Sequence, residues 1–117
     1  MINANKQLGV SPYLGLGDGY DIAEGVLVWP IEYPQHQSNP PFKSTVFVVE
    51  PGKSTPQDNH QVEEMWVILE GTGLLSYETE TLRVSSMDQL FFPSLKTHQI
   101  SNDASRPLKI LSIYWST

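Results

Sequence analysis

Along this chain, short runs rich in Val, Ile, Leu, Phe and Trp alternate with clusters of Gly, Pro, Asn, Asp and Ser. The runs are Val26–Glu32, Phe42–Glu50, Val62–Leu69, Leu74–Glu78, Leu82–Val84, Gln89–Phe92, His98–Ser101 and Leu108–Trp115. Such residues suit a pleated, half-buried surface. None of the runs sustains a 3.6-residue period. Roughly eight short strands at a spacing of ~8–12 residues predict a β-sandwich or barrel with no helix of consequence.

The punctuation sharpens the picture. Pro30 marks an edge strand or a bulge, because proline cannot donate to a ladder. Tyr33–Pro41, "YPQHQSNPP", reads as a loop and Pro51–Pro56 as a turn. Glu70–Gly73 is expected to close an antiparallel hairpin between Val62–Leu69 and Leu74–Glu78. Residues 1–25, rich in Gly and Asn, read as an extended arm packed on the outside of the core or on a partner. That leaves residues 26–117 as one barrel domain.

Composition removes whole classes of function. A length of 117 residues supports one modest core. The net charge is −6 and no run of Lys or Arg occurs, so nucleic acid is not an expected partner. There are no cysteines, which excludes disulfides, thiolate zinc sites and cysteine nucleophiles. The N-terminus lacks the basic start and apolar core of a signal peptide. No stretch nears the ~18–20 apolar residues of a membrane span. A cytoplasmic location, with no membrane partner, is expected by elimination.

Candidate chemistry concentrates in "DNHQVEE". On an extended chain, side chains of equal parity share a face, so Asp58, His60, Val62 and Glu64 would align if no bulge intervenes. Two carboxylates and an imidazole inside a barrel are costly unless they find a cation or hydrogen-bond partners. Histidine plus carboxylate is the donor set of non-thiolate Fe, Mn, Ni or Zn sites. His98, opening a strand after "FPSLKT", is the natural further ligand. Glu63 is expected to face the other way, as a solvated carboxylate, and His36 to sit exposed in its loop. "GLGDGY" lacks the lysine of a phosphate-binding loop and reads as part of the arm.

These spacings resemble the two motifs of the cupin superfamily. The first, G-x5-H-x-H-x3–4-E-x6-G, is matched from Gly52 to Gly71, with Asp58 in place of the first histidine. The second, G-x5-P-x-G-x2-H-x3-N, is matched from Met87 to Asn102 through Pro93 and His98, with Met87 and Leu95 where the family usually has glycines. The resemblance implies an all-β double-stranded β-helix, or jelly-roll barrel, holding one divalent transition metal ion (Fe, Mn, Ni or Zn). Its metal residues would be Asp58, His60, Glu64 and His98, with Asp58 and Glu64 as catalytic candidates. Most metallo-cupins use three histidines and one glutamate, so Asp58 is a fourth ligand, a group orienting His60, a general base or only a turn cap.

Two readings with a ligand in the barrel follow. One is a metal-dependent enzyme acting on a small organic molecule in the barrel, either an Fe(II)-type dioxygenase or a Lewis-acid isomerase, lyase or cyclase. The other is a non-catalytic small-ligand or sensor cupin. A third, a barrel that only dimerises, has no chemistry. A homodimer is expected on either reading, burying the arm together with Leu111, Ile113 and Trp115.

Overall fold

The computed structural model describes residues 12–33 and 40–116. His36 and residues 1–11 of the expected arm lie outside the described residues. The β-branched and aromatic runs form ten strands in chain order: β1 (Gly15–Leu16), β2 (Tyr20–Ala23), β3 (Val26–Glu32), β4 (Lys43–Val49), β5 (Glu63–Glu70), β6 (Thr72–Tyr77), β7 (Glu80–Ser85), β8 (Gln89–Phe92), β9 (His98–Ser101) and β10 (Leu108–Trp115). Among the described residues there is no helix.

The strands divide into two antiparallel sheets. The larger has the order β1-β3-β4-β10-β5-β8, with β2 also on β3, and the smaller the order β7-β6-β9. Inward residues of the large sheet, among them Phe47, Trp66, Ile68 and Ile110, meet Leu75, Val84 and Ile100 of the small one in a single core. Residues 54–58 run beside β9 through bridges Ser54↔Ser101 and Asp58↔His98. The architecture is the all-β jelly-roll barrel that the motifs imply.

One expectation is corrected. β5 and β6 do not form a hairpin: β5 is paired to β10 and β8, so both of its edges are taken. The chain instead changes sheets at Gly71, whose φ of +96° and 2.9 Å clearance between a hypothetical Cβ and the Pro107 carbonyl oxygen both call for glycine. β6 then pairs with β7 and β9. The described part of the arm is built into the large sheet, since β1 and β2 both pair with β3.

The motif positions explain themselves structurally. Met87 (φ +77°) and Leu95 (φ +68°) adopt the left-handed conformation at the two places where the family's second motif usually has glycine. Neither side chain adopts this conformation as freely as glycine, and each costs roughly 1–2 kcal/mol. Asn102 is fully buried, and its amide donates to the Val49 and Arg106 carbonyls at 2.8 Å each. Its Oδ1 accepts the Ala104 N–H at 2.9 Å, so this one side chain ties the 103–107 loop to the end of β4.

Candidate functional site

The mouth of the barrel is assembled from both sheets. Asp58 and His98 exchange two backbone hydrogen bonds, at 2.9 and 3.0 Å, and residues so paired carry their side chains on one face. Glu64 approaches from β5 in the opposite sheet. Parity along a single strand therefore does not unite these residues, because β5 begins only at Glu63 and residues 59–62 belong to no strand. Two acid–imidazole pairs result.

The inner pair is Glu64 and His98, with Oε1 and Nε2 3.2 Å apart and side chains 12% and 4% exposed. Every other polar atom of the pair is engaged. Glu64 Oε2 accepts the Trp66 indole N–H at 2.9 Å and the Ser112 hydroxyl at 2.5 Å. His98 Nδ1 lies 3.0 Å from the Lys96 carbonyl, to which it donates. The imidazole is stacked on Phe92 at 4.1 Å and met edge-on by Trp66 at 5.3 Å. What remains is one carboxylate oxygen and one imidazole nitrogen, both buried and neither in hydrogen-bonding geometry.

Burial alone would raise the Glu64 pKa and lower that of His98. For Glu64, the neighbouring imidazole and the Ser112 and Trp66 donors reverse this, holding it below its ordinary value. For His98, the carboxylate and the Lys96 carbonyl lift it above its ordinary value. Without a cation, the two shifts favour the carboxylate and the imidazolium over their neutral forms.

The outer pair is Asp58 and His60, with Oδ2 and Nε2 2.5 Å apart and side chains 35% and 57% exposed. The His60 backbone carbonyl accepts the Leu95 N–H at 2.7 Å, fixing the chain but not the ring. Both residues line a 180 Å³ cavity with Tyr20, Thr45, Trp66 and Tyr114. Glu63 accepts a hydrogen bond from the Trp115 indole at 3.2 Å, away from the cluster. The Tyr114 pKa is raised above its ordinary value, by burial and then by Tyr20 and Glu64.

Whether a divalent ion fits can be judged from these donors. Ligand atoms sharing one ion at about 2.0–2.2 Å lie roughly 2.8–3.6 Å from each other, and Glu64 Oε1 and His98 Nε2 meet that spacing. Both are oriented by neighbours in the way metal ligands usually are. They supply two positions. Among the described residues, no three His, Asp or Glu side chains are gathered as a metal cage, because His60 and Asp58 hold each other at the rim.

Ser112 escaped the sequence reading, whereas Trp66 and Tyr114 belong to the aromatics expected in the core or interface with some at the pocket mouth, and both line the cavity. Ser112 carried a signal, as the lone small polar residue inside the apolar run "LKILSIYW".

Known proteins bear on this geometry. The family model for the cupin domain matches residues 45–114. An uncharacterized protein of Methanocaldococcus jannaschii, MJ1618, is 37% identical over 65 residues, 55% of this chain and 52% of that protein. The mannose-1-phosphate guanylyltransferase RfbM of Salmonella typhimurium is 29% identical over 100 residues, 74% of this chain and 21% of that protein. The chain thus matches about half of one relative and a fifth of the other. The crystal structure of a Cupin 2 conserved barrel domain protein from Salinispora arenicola superposes with a TM-score of 0.74 at 21% identity, covering 83% of this chain and 81% of that one.

Proposed function

This chain belongs to the cupin family, and on that premise we propose that it binds one divalent first-row metal ion at Glu64 and His98 and acts on a small organic molecule in the barrel mouth. The observation that carries the reading is the pair of buried atoms, Glu64 Oε1 and His98 Nε2, which face each other at 3.2 Å and have no partner besides each other. His60 is the third donor on this reading. Its ring stands on a stretch outside any strand and would give up Asp58 to ligate. Freed of His60, Asp58 is left facing the cavity as a base for the bound molecule.

The ion would supply Lewis-acid polarisation of a bound oxygen, or an open position for O2 if it is Fe(II). The protein's own contribution is orientation. Ser112 and Trp66 hold one Glu64 oxygen so that the other faces the centre, and the Lys96 carbonyl fixes the His98 tautomer. Metal content per chain, measured by elemental analysis after dialysis, tests the reading. One ion per wild-type chain and none in His98→Ala is expected, and full occupancy in His98→Ala would refute it.

The Asp58–His60 pairing favours a second reading, a non-catalytic cavity that takes a small ligand without metal. Ligand binding undiminished in exhaustively metal-free protein would select it.

A homodimer through the outer face of the large sheet is part of the proposal. Trp29, Val46, Met65, Val67, Leu111 and Ile113 fall on that face, opposite the core. A sheet wetted on one side normally alternates apolar and polar residues. Strand spacings and rises give the five central strands a face on the order of 500 Å², most of the ~800 Å² per partner of a stable interface. Light scattering should give twice the chain mass for the wild type and the monomer mass for Ile113→Glu. A wild-type monomer would contradict the assembly.

A further inference from the structure

One rung of the large sheet crosses the barrel mouth. Lys43 on β4 lies opposite Tyr114 on β10, and Tyr114 lies opposite Glu64 on β5. By strand parity all three share the inward face with Thr45, Phe47 and Ser112. Lys43 and Tyr114 together also line two adjoining cavities, of 310 and 230 Å³, bounded by Pro40 and Phe42. Tyr114 is common to these and to the cavity that holds Asp58 and His60. It therefore stands between the cavities that the exposed Lys43 helps to line and the acid–imidazole centre.

Lys43 is set apart by its lack of a carboxylate. Of the four lysines among the described residues, Lys53, Lys96 and Lys109 stand in ion pairs with Glu24, Glu78 and Glu70. Lys43 is in none of the ion pairs of the described residues, although the chain carries a net charge of −6. A cation left unneutralised at a cavity wall, beside a phenol able to donate, is complementary to an anion. One ammonium and one hydroxyl offer a single positive charge and donors for two oxygens. That matches a monoanionic carboxylate. A phosphate dianion would bring a second charge, uncompensated, toward Glu64 and Asp58.

We infer that Lys43 and Tyr114 form the anchoring subsite for the carboxylate of a small organic acid, whose other end extends toward Asp58, His60, Glu64 and His98. This rests on the proposed function in taking the barrel mouth as the ligand site, but it does not require the metal. Lys43 and Glu64 are two strand spacings apart, about 9–10 Å between backbones, so the acid has a short chain.

The test is isothermal titration of the full chain with straight-chain carboxylates from propionate to hexanoate, their primary amides, and butyl phosphate. At least one carboxylate should bind, about tenfold or more tightly than its amide, since only the charged oxygens can pair with Lys43. Lys43→Met should remove that preference, Lys43→Arg should retain most of it, and Tyr114→Phe should weaken the carboxylate several-fold. Thermal melting checks that each variant is folded. Metal content is read on the same samples and should not change in Lys43→Met. No carboxylate binding above its amide, an unchanged preference in Lys43→Met, or tighter binding of butyl phosphate would each overturn the inference. Lys43-dependent binding in a chain that takes up no metal would uphold it while refuting the metal centre.

Discussion

The two acid–imidazole pairs at the barrel mouth are alike in chemistry and opposite in surroundings. Glu64 and His98 are buried, and Trp66, Ser112, Phe92 and the Lys96 carbonyl fix each ring and carboxylate. Asp58 is partly and His60 more than half exposed, and their side chains hold chiefly each other. The inner pair presents Glu64 Oε1 and, once an ion displaces its proton, His98 Nε2 to one point. The outer pair satisfies itself and faces solvent. A rigid half and an adjustable half suit a centre that must bind an ion and also admit a ligand, because the scaffolded donors set the position and the others complete it.

The contrast should appear most strongly in stability. In chelator-treated protein, His98→Ala leaves the Glu64 charge buried and unpaired, at a cost of about 3–5 kcal/mol. His60→Ala removes an exposed pair worth about 0–1 kcal/mol. Urea unfolding measures both, and equal costs would erase the distinction. Ser112→Ala is next. It deletes a hydrogen bond to a charged oxygen, worth about 1.5–3 kcal/mol, and should reduce metal content as well, whereas a variant with wild-type stability and metal would show that Glu64 needs no such support.

The inner pair also sets a pH window in metal-free protein. His98, raised above 6.5, contributes stability that is fully present below 6.5 and lost as pH rises through its folded value. Glu64, lowered from 4.5, contributes stability present above 4.5 and lost as pH falls through its folded value. Both contributions are complete only between 4.5 and 6.5, so metal-free protein should lose stability on either side of that range. Metal affinity should instead rise with pH, because the ion displaces the His98 proton. Paired urea titrations and metal titrations across pH would show the opposite trends, and parallel trends would contradict them.

The smallest expected effect lies beneath the outer pair. Leu95 holds the His60 carbonyl through its N–H while sitting at φ +68° with its side chain more than half exposed. Leu95→Gly relieves the left-handed strain but loosens the unfolded chain, for a net gain of about 0–1 kcal/mol. A clear fall in melting temperature would mean that the Leu95 side chain is needed for packing.

Strand content was readable because β-branched runs and Gly/Pro breaks are local signals. Strand partners were not. Whether β5 turns back onto β6 depends on which strands already occupy its edges, and those, β8 and β10, come later in the chain. The motifs put Asp58, His60, Glu64 and His98 near one another, but the alignment by parity assumed one extended strand. His60 falls where the chain leaves strand geometry, so nothing in the spacing fixed its ring. The glycine positions occupied by Met87 and Leu95 were visible in sequence only as departures from the motif. The structure shows both backbones in the left-handed form.

The central claim is that His98 Nε2 and Glu64 Oε1 are held open for one cation, and 15N NMR of the imidazoles during zinc titration addresses it directly. One equivalent of zinc should shift His98 Nε2 to a metal-bound position while Nδ1 keeps its proton on the Lys96 carbonyl. A His98 ring whose nitrogens are unchanged by zinc at neutral pH would contradict it.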